Sequence, residues 1–184
     1  MSSLLRQSLR AQTTALLRDH LGAFLNTVES VDFCRPCCVI GGTAGQHARH
    51  INDHFVRLAD TLEEHCESRK VVRYDVRARE TAFETDVLAA RIGVANTLAR
   101  MDSILASDID LSSIIDVSFM LVGEEQKMRS TVARECSFVV HHAFHHTASI
   151  KVIAKNLGFE HACPDGFGIA PSTADYRAQA RCRQ

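Results

Sequence analysis

Apolar residues recur at three- and four-residue intervals over four long stretches of the chain, the spacing of amphipathic helices. The first stretch, from about residue 3 to 28, carries Leu4, Leu5, Leu9, Leu16, Leu17, Leu21, Phe24 and Leu25. A loop with Pro36 and the Gly41-Gly42 pair follows. Thr43 is a suitable cap for a second helix that runs to about Glu64 with Ile51, Phe55, Leu58 and Leu62 on one face. The segment from Cys66 to Phe83 is charged, lacks a helical period and reads as a surface connection. Helical spacing returns over about residues 84–106 through Val87, Leu88, Ile92, Val94, Leu98, Met101, Ile104 and Leu105. β-Branched and apolar residues on both sides of Gly123-Glu124 then admit a short hairpin. A fourth helix is expected from about Thr131 to Leu157, stopped by Gly158, and an irregular tail begins at Phe159.

There are no internal repeats and no low-complexity segments. The pattern predicts an all-α protein, a four-helix bundle in one domain spanning residues 1–184. Its core covers about residues 3–158 and a C-terminal extension takes 159–184. Composition narrows the function. Lys plus Arg total 21 and Asp plus Glu 22, a formal net charge of −1, so a broad nucleic-acid surface is not expected. The apolar runs fall short of the ~20 residues that span a bilayer. The N-terminal stretch MSSLLRQSLRAQTTALLRDH has charges at helical spacing and no apolar signal region. A cytoplasmic protein without a membrane partner is expected, and its seven Cys are read as reduced thiols.

The ten His are unevenly spread: three lie between His47 and His54, and four between His141 and His146. A metal site between helices needs imidazoles converging from more than one helix, and two on one helix must be three or four residues apart. With Phe138 at zero on a helical wheel, Val139, Ile150, Ile153 and Leu157 fall at about 60–120°. His142 and His146 fall at about 40° and 80°, inside that apolar face, whereas His141 and His145 fall near 300° and 340°. On the second helix periodicity alone ranks His54 or His47 above His50, which sits at the margin of the apolar stripe.

Two segments resemble the DinB-like (damage-inducible) superfamily of metal-binding four-helix bundles. One is Gly45-Gln46-His47-Ala48-Arg49-His50-Ile51-Asn52-Asp53-His54-Phe55, and the other is His142-Ala143-Phe144-His145-His146, an H-x-x-H-H signature. The likeness extends to a stand-alone branch through Tyr74-Asp75-Val76-Arg77, Glu84-Thr85-Asp86, the stretch from Phe167 to Thr173, and Tyr176. Carried over by motif, the resemblance implies His50, His142 and His146 as metal ligands. His54 is then an alternative or supporting group, and His47 a core residue. Similar domains support thiol-dependent transferases and metal-dependent hydrolases, so the resemblance implies a metal-dependent enzyme acting on a small molecule.

Three imidazoles leave an open position on a divalent ion. A histidine-only donor set suits zinc, nickel or iron and disfavours magnesium or calcium. Asp53, Asp75 and Asp86 are candidates for orienting a ligand or acting as a base, against the plainer reading of solvated carboxylates or helix-end charges. Cys34-Arg35-Pro36-Cys37-Cys38 contains a C-x-x-C, but with no second one it reads as structural thiols. The basic run Arg69, Lys70, Arg73, Arg77 and Arg79 reads as a solvated loop that an anionic substrate can use. The alternatives to an enzyme are a non-catalytic metal-binding or stress-response bundle and a metal-free structural bundle that forms a homodimer.

Overall fold

Leucines at helical spacing wind residues 2–27 into one continuous rod, α1, in a computed structural model that describes residues 2–63, 71–76 and 79–181. The rod widens in the middle. Ser2–Thr14 and Ala23–Thr27 are α-helical, and Ala15–Gly22 between them is π-helical. The loop expected after it contains a short helix, α2 (Ser30–Phe33). The next helix, α3 (Ala44–Glu63), opens on a reciprocal cap. Gln46 N–H donates to Thr43 Oγ1 and Thr43 N–H donates to Gln46 Oε1, both at 3.1 Å.

The helix expected over 84–106 is two helices, α4 (Ala82–Thr85) and α5 (Val87–Ala106). Asp86 breaks the run with an extended backbone and accepts a hydrogen bond from Leu88 N–H at 2.8 Å, so this carboxylate is a helix cap. The last long helix, α6 (Val132–Leu157), starts on Thr131, whose hydroxyl accepts from Arg134 N–H at 3.3 Å. It ends at Gly158 with φ of 86°, the left-handed stop a glycine provides. The tail is not irregular throughout: it holds α7 (Pro171–Arg181).

The expected all-α four-helix bundle is corrected by a three-stranded mixed sheet. Strands β2 (Ile114–Leu121) and β3 (Glu124–Thr131) form an antiparallel hairpin from Ile114↔Thr131 to Leu121↔Glu124. Strand β1 (Val71–Arg73) joins β2 in parallel through Val72↔Val117, giving the order β1-β2-β3. The physical reason is that a three-residue strand inside a charged segment has no period of its own. It exists because β2 offers it a hydrogen-bonding edge, and Val72, Ile115 and Val117 bury their side chains on the helices. The fold is mixed α/β.

The core runs through α1, α3, α5 and α6, with Leu16, Leu17, Phe24, Ile51, Phe55, Leu58, Val140 and Ile153 fully buried. Among the described residues no helix is long and apolar enough to cross a membrane. Arg69, Lys70 and Arg77 of the basic run lie outside the described residues; Arg73 pairs with Glu125 at 3.1 Å.

Candidate metal centre

Helices α3 and α6 run antiparallel and bring their histidines together as rungs. Near the start of α3, His47 Nδ1 lies 2.9 Å from His146 Nδ1. One turn on, His50 Nε2 lies 2.9 Å from His142 Nε2. A further turn on, the His54 ring stacks on His142 with centroids 4.1 Å apart. The division of faces on α6 follows the wheel: His142 and His146 are half-buried and His141 and His145 are exposed.

The donor atoms of His50, His54 and His142 lie within 4.8 Å of one another, a group that could hold a metal ion. Tetrahedral zinc with bonds of ~2.0–2.1 Å sets its ligand nitrogens about 3.3 Å apart. The His50–His142 separation of 2.9 Å is close to that edge, and the His54 donor lies within 4.8 Å of both. All three donors are imidazoles, which fits zinc, nickel or iron. The resemblance-implied trio of His50, His142 and His146 is also brought together, with the His146 ring centroid 4.4 Å from His50 and 4.6 Å from His142.

Electrostatics keep two of the cluster's rings, His146 and His47, in the neutral form. Burial first, then the neighbouring His142 and His47, pushes the His146 pKa down to about 3. Burial also lowers His47, with His145 adding to the effect and a backbone hydrogen bond to Gly41 opposing it. Neutral imidazole is the species that donates a lone pair to a metal.

His54 is buried, and its Nδ1–H donates to the carbonyl oxygen of His50 at 3.0 Å. A carbonyl only accepts, so the proton sits on Nδ1 and the lone pair on Nε2. Tyr74, placed by β1, stacks on His54 at 5.0 Å with an interplanar angle of 11°. Its hydroxyl donates to Glu135 Oε2 at 2.9 Å, and Glu135 is wholly buried. Sequence reasoning missed this pair. The signal available was position: Glu135 lies seven residues before His142 and so on the same helical face.

Beside His50, Arg49 donates to Asp53 Oδ2 at 2.9 Å and contacts Glu84 Oε1 at 2.8 Å. The same Glu84 oxygen accepts from Glu80 N–H at 3.0 Å, which helps hold Glu80 at φ of 57°. This ionic chain ties α4 to α3 and shapes a cleft of about 460 Å³ lined by His47, His50, His146, Arg49, Arg79 and Glu84, among others. Of the three candidate aspartates, Asp53 pairs with Arg49. Asp75 Oδ2 accepts from Met120 N–H at 2.7 Å, and Asp86 is the helix cap already described. The cysteine motif stays apart from the histidines in its bonding. Cys34 donates to the Thr85 carbonyl at 3.2 Å, and Cys37 Sγ lies 3.6 Å from Asn156 Oδ1.

Fold and cluster together define a mixed α/β protein whose histidines, gathered from two helices, could hold a metal ion. No protein-family model matches the chain, and no solved structure matches it. It is similar to a Rhizopus delemar protein named FK506-binding protein 5, with 36% identity over 110 residues. That stretch is 58% of this chain and 27% of the relative, so the chain spans about a quarter of that protein's length.

Proposed function

We propose that this chain is a DinB-like protein that binds a divalent transition metal (zinc, nickel or iron) at the His50–His142 pair. We propose further that it works as a metal-dependent transferase or hydrolase on a small molecule. The observation that carries this is the convergence of three imidazole donors within 4.8 Å. A bound metal supplies a Lewis acid that lowers the pKa of the group in its open position. The chain's own contribution is shape and orientation. His50 and His142 belong to either set of three ligands. His47 and His146 stand on the cleft wall beside them, and Arg49, neutralised by Asp53 and Glu84, holds that wall in place. A cytoplasmic setting goes with the free thiols Cys34, Cys37 and Cys38.

A second reading, a non-catalytic metal-binding protein, is favoured by one observation: His54 is 5% exposed and stacked on Tyr74, away from the cleft. Turnover separates the two. The metal-loaded chain is tested against small thiol conjugates and esters with and without a chelator. Metal-dependent turnover supports the enzyme, and tight metal binding without turnover supports the second reading.

A further inference from the structure

The His50–His142 pair has one further imidazole on each side, and the two are held differently. His146 lies on the cleft wall with His47, Nδ1 to Nδ1 at 2.9 Å. His54 lies on the inner side, with one edge and both faces engaged. Its Nδ1–H is bonded to the His50 carbonyl at 3.0 Å. Two nearly parallel rings, Tyr74 at 11° and His142 at 28°, cover its faces. These contacts hold the ring in one orientation, with its donor atom within 4.8 Å of those of His50 and His142.

Tyr74 is itself fixed. It is 2% exposed and donates to Glu135 Oε2 at 2.9 Å. The other Glu135 oxygen accepts from Ser130 Oγ at 2.5 Å and from Arg134 Nη1 at 2.6 Å. A carboxylate with no exposure is expensive to bury, and an apolar side chain would pack there at less cost. Its place behind a ring that braces a histidine accounts for it.

We propose that His54 is the third protein ligand of the metal, and that Tyr74 and Glu135 are positioning residues that hold its ring for that task. This rests on the metal-binding reading above. His146 is then left on the cleft wall, where it meets whatever enters.

The test is cobalt(II) titration of the metal-free chain, with affinity read by competition against a chelator. His54→Ala should weaken binding about a hundredfold or more, and Glu135→Gln or Tyr74→Leu about tenfold, the usual effect of losing a group that orients a ligand. His146→Ala should stay within about threefold of the parent, since it removes no ligand. A large loss in His146→Ala with His54→Ala near the parent overturns the proposal. Folding of the variants need not be assumed, because imidazole ¹⁵N spectra of the zinc-loaded parent chain give the same answer. His54 Nε2 should shift on loading while its Nδ1–H is retained; a metal-shifted nitrogen on His146, with His54 unmoved, overturns it. A parent chain that takes up no cobalt or zinc defeats the metal-binding reading itself, a different failure from metal bound without His54.

Discussion

His50 Nε2 and His142 Nε2 lie 2.9 Å apart although the residues are 92 positions apart in the chain. Two imidazole nitrogens at that distance have two ways to coexist. Either one carries a proton and donates to the other, or both lone pairs point at a shared cation. Neither state survives when both facing nitrogens carry a proton. The same condition applies at His47 and His146, whose nitrogens face each other at 2.9 Å.

Acid should therefore destabilise the metal-free protein. The folded-state pKa of His146 is about 3, and those of His47 and His20 are also below the ordinary value of 6.5, in each case chiefly through burial. As pH falls below 6.5 the unfolded chain takes up protons that the folded chain refuses, so stability drops from there toward the folded pKa and is unaffected above. At about pH 5 the loss through His146 should be roughly 1–2 kcal/mol, allowing for its partial contact with solvent. Urea midpoints of the chelator-treated protein at neutral and mildly acid pH check this. A His146→Leu variant should show a flatter dependence, and an equal slope in both proteins contradicts it.

The hairpin turn carries a strained residue. Val122 and Gly123 have φ of 53° and 84°, the positive pair of a two-residue hairpin turn, and a β-branched side chain is a poor fit there. Val122 is fully exposed and packs on nothing. Val122→Asn creates the Asn-Gly sequence such turns favour and should stabilise by about 1 kcal/mol, seen as a rise of about 2–4 °C in Tm. An unchanged or lower Tm goes against it.

Gly45 allows α4 to lie against α3. A Cβ added there would sit 2.1 Å from the Glu84 carbonyl oxygen and 2.9 Å from Phe33 Cε1. Gly45→Ala should cost about 2–3 kcal/mol in urea unfolding, the cost of overpacking against backbone that cannot yield. It should also disturb the Arg49–Glu84 ion pair on the cleft wall. A loss below about 0.5 kcal/mol would show that α4 moves aside freely.

Much of this arrangement is written in local periodicity, and the rest is not. The long helices follow from apolar spacing, and Thr43, Gly158 and the inward face of His142 and His146 follow from capping and the wheel. The all-α expectation fails at Val71–Arg73, because those residues are ordered by pairing with residues 116–118, across a sequence distance no periodicity spans. With that strand goes the placement of Tyr74. Its bond to Glu135 crosses 61 positions, so no local pattern pairs the two residues. On α3 the spacing favours His54 or His47 and the resemblance favours His50. The structure brings all three against α6, because α3 lies with the margin of its apolar stripe facing the histidines of α6.

Metal content by mass spectrometry on the purified chain tests the central claim most directly. The parent should carry about one equivalent of zinc, nickel or iron per chain, as one set of three imidazoles can hold. A folded His50→Ala/His142→Ala double variant should carry almost none. A parent that stays metal-free after incubation with these ions, or a double variant that keeps its full equivalent, would contradict the account.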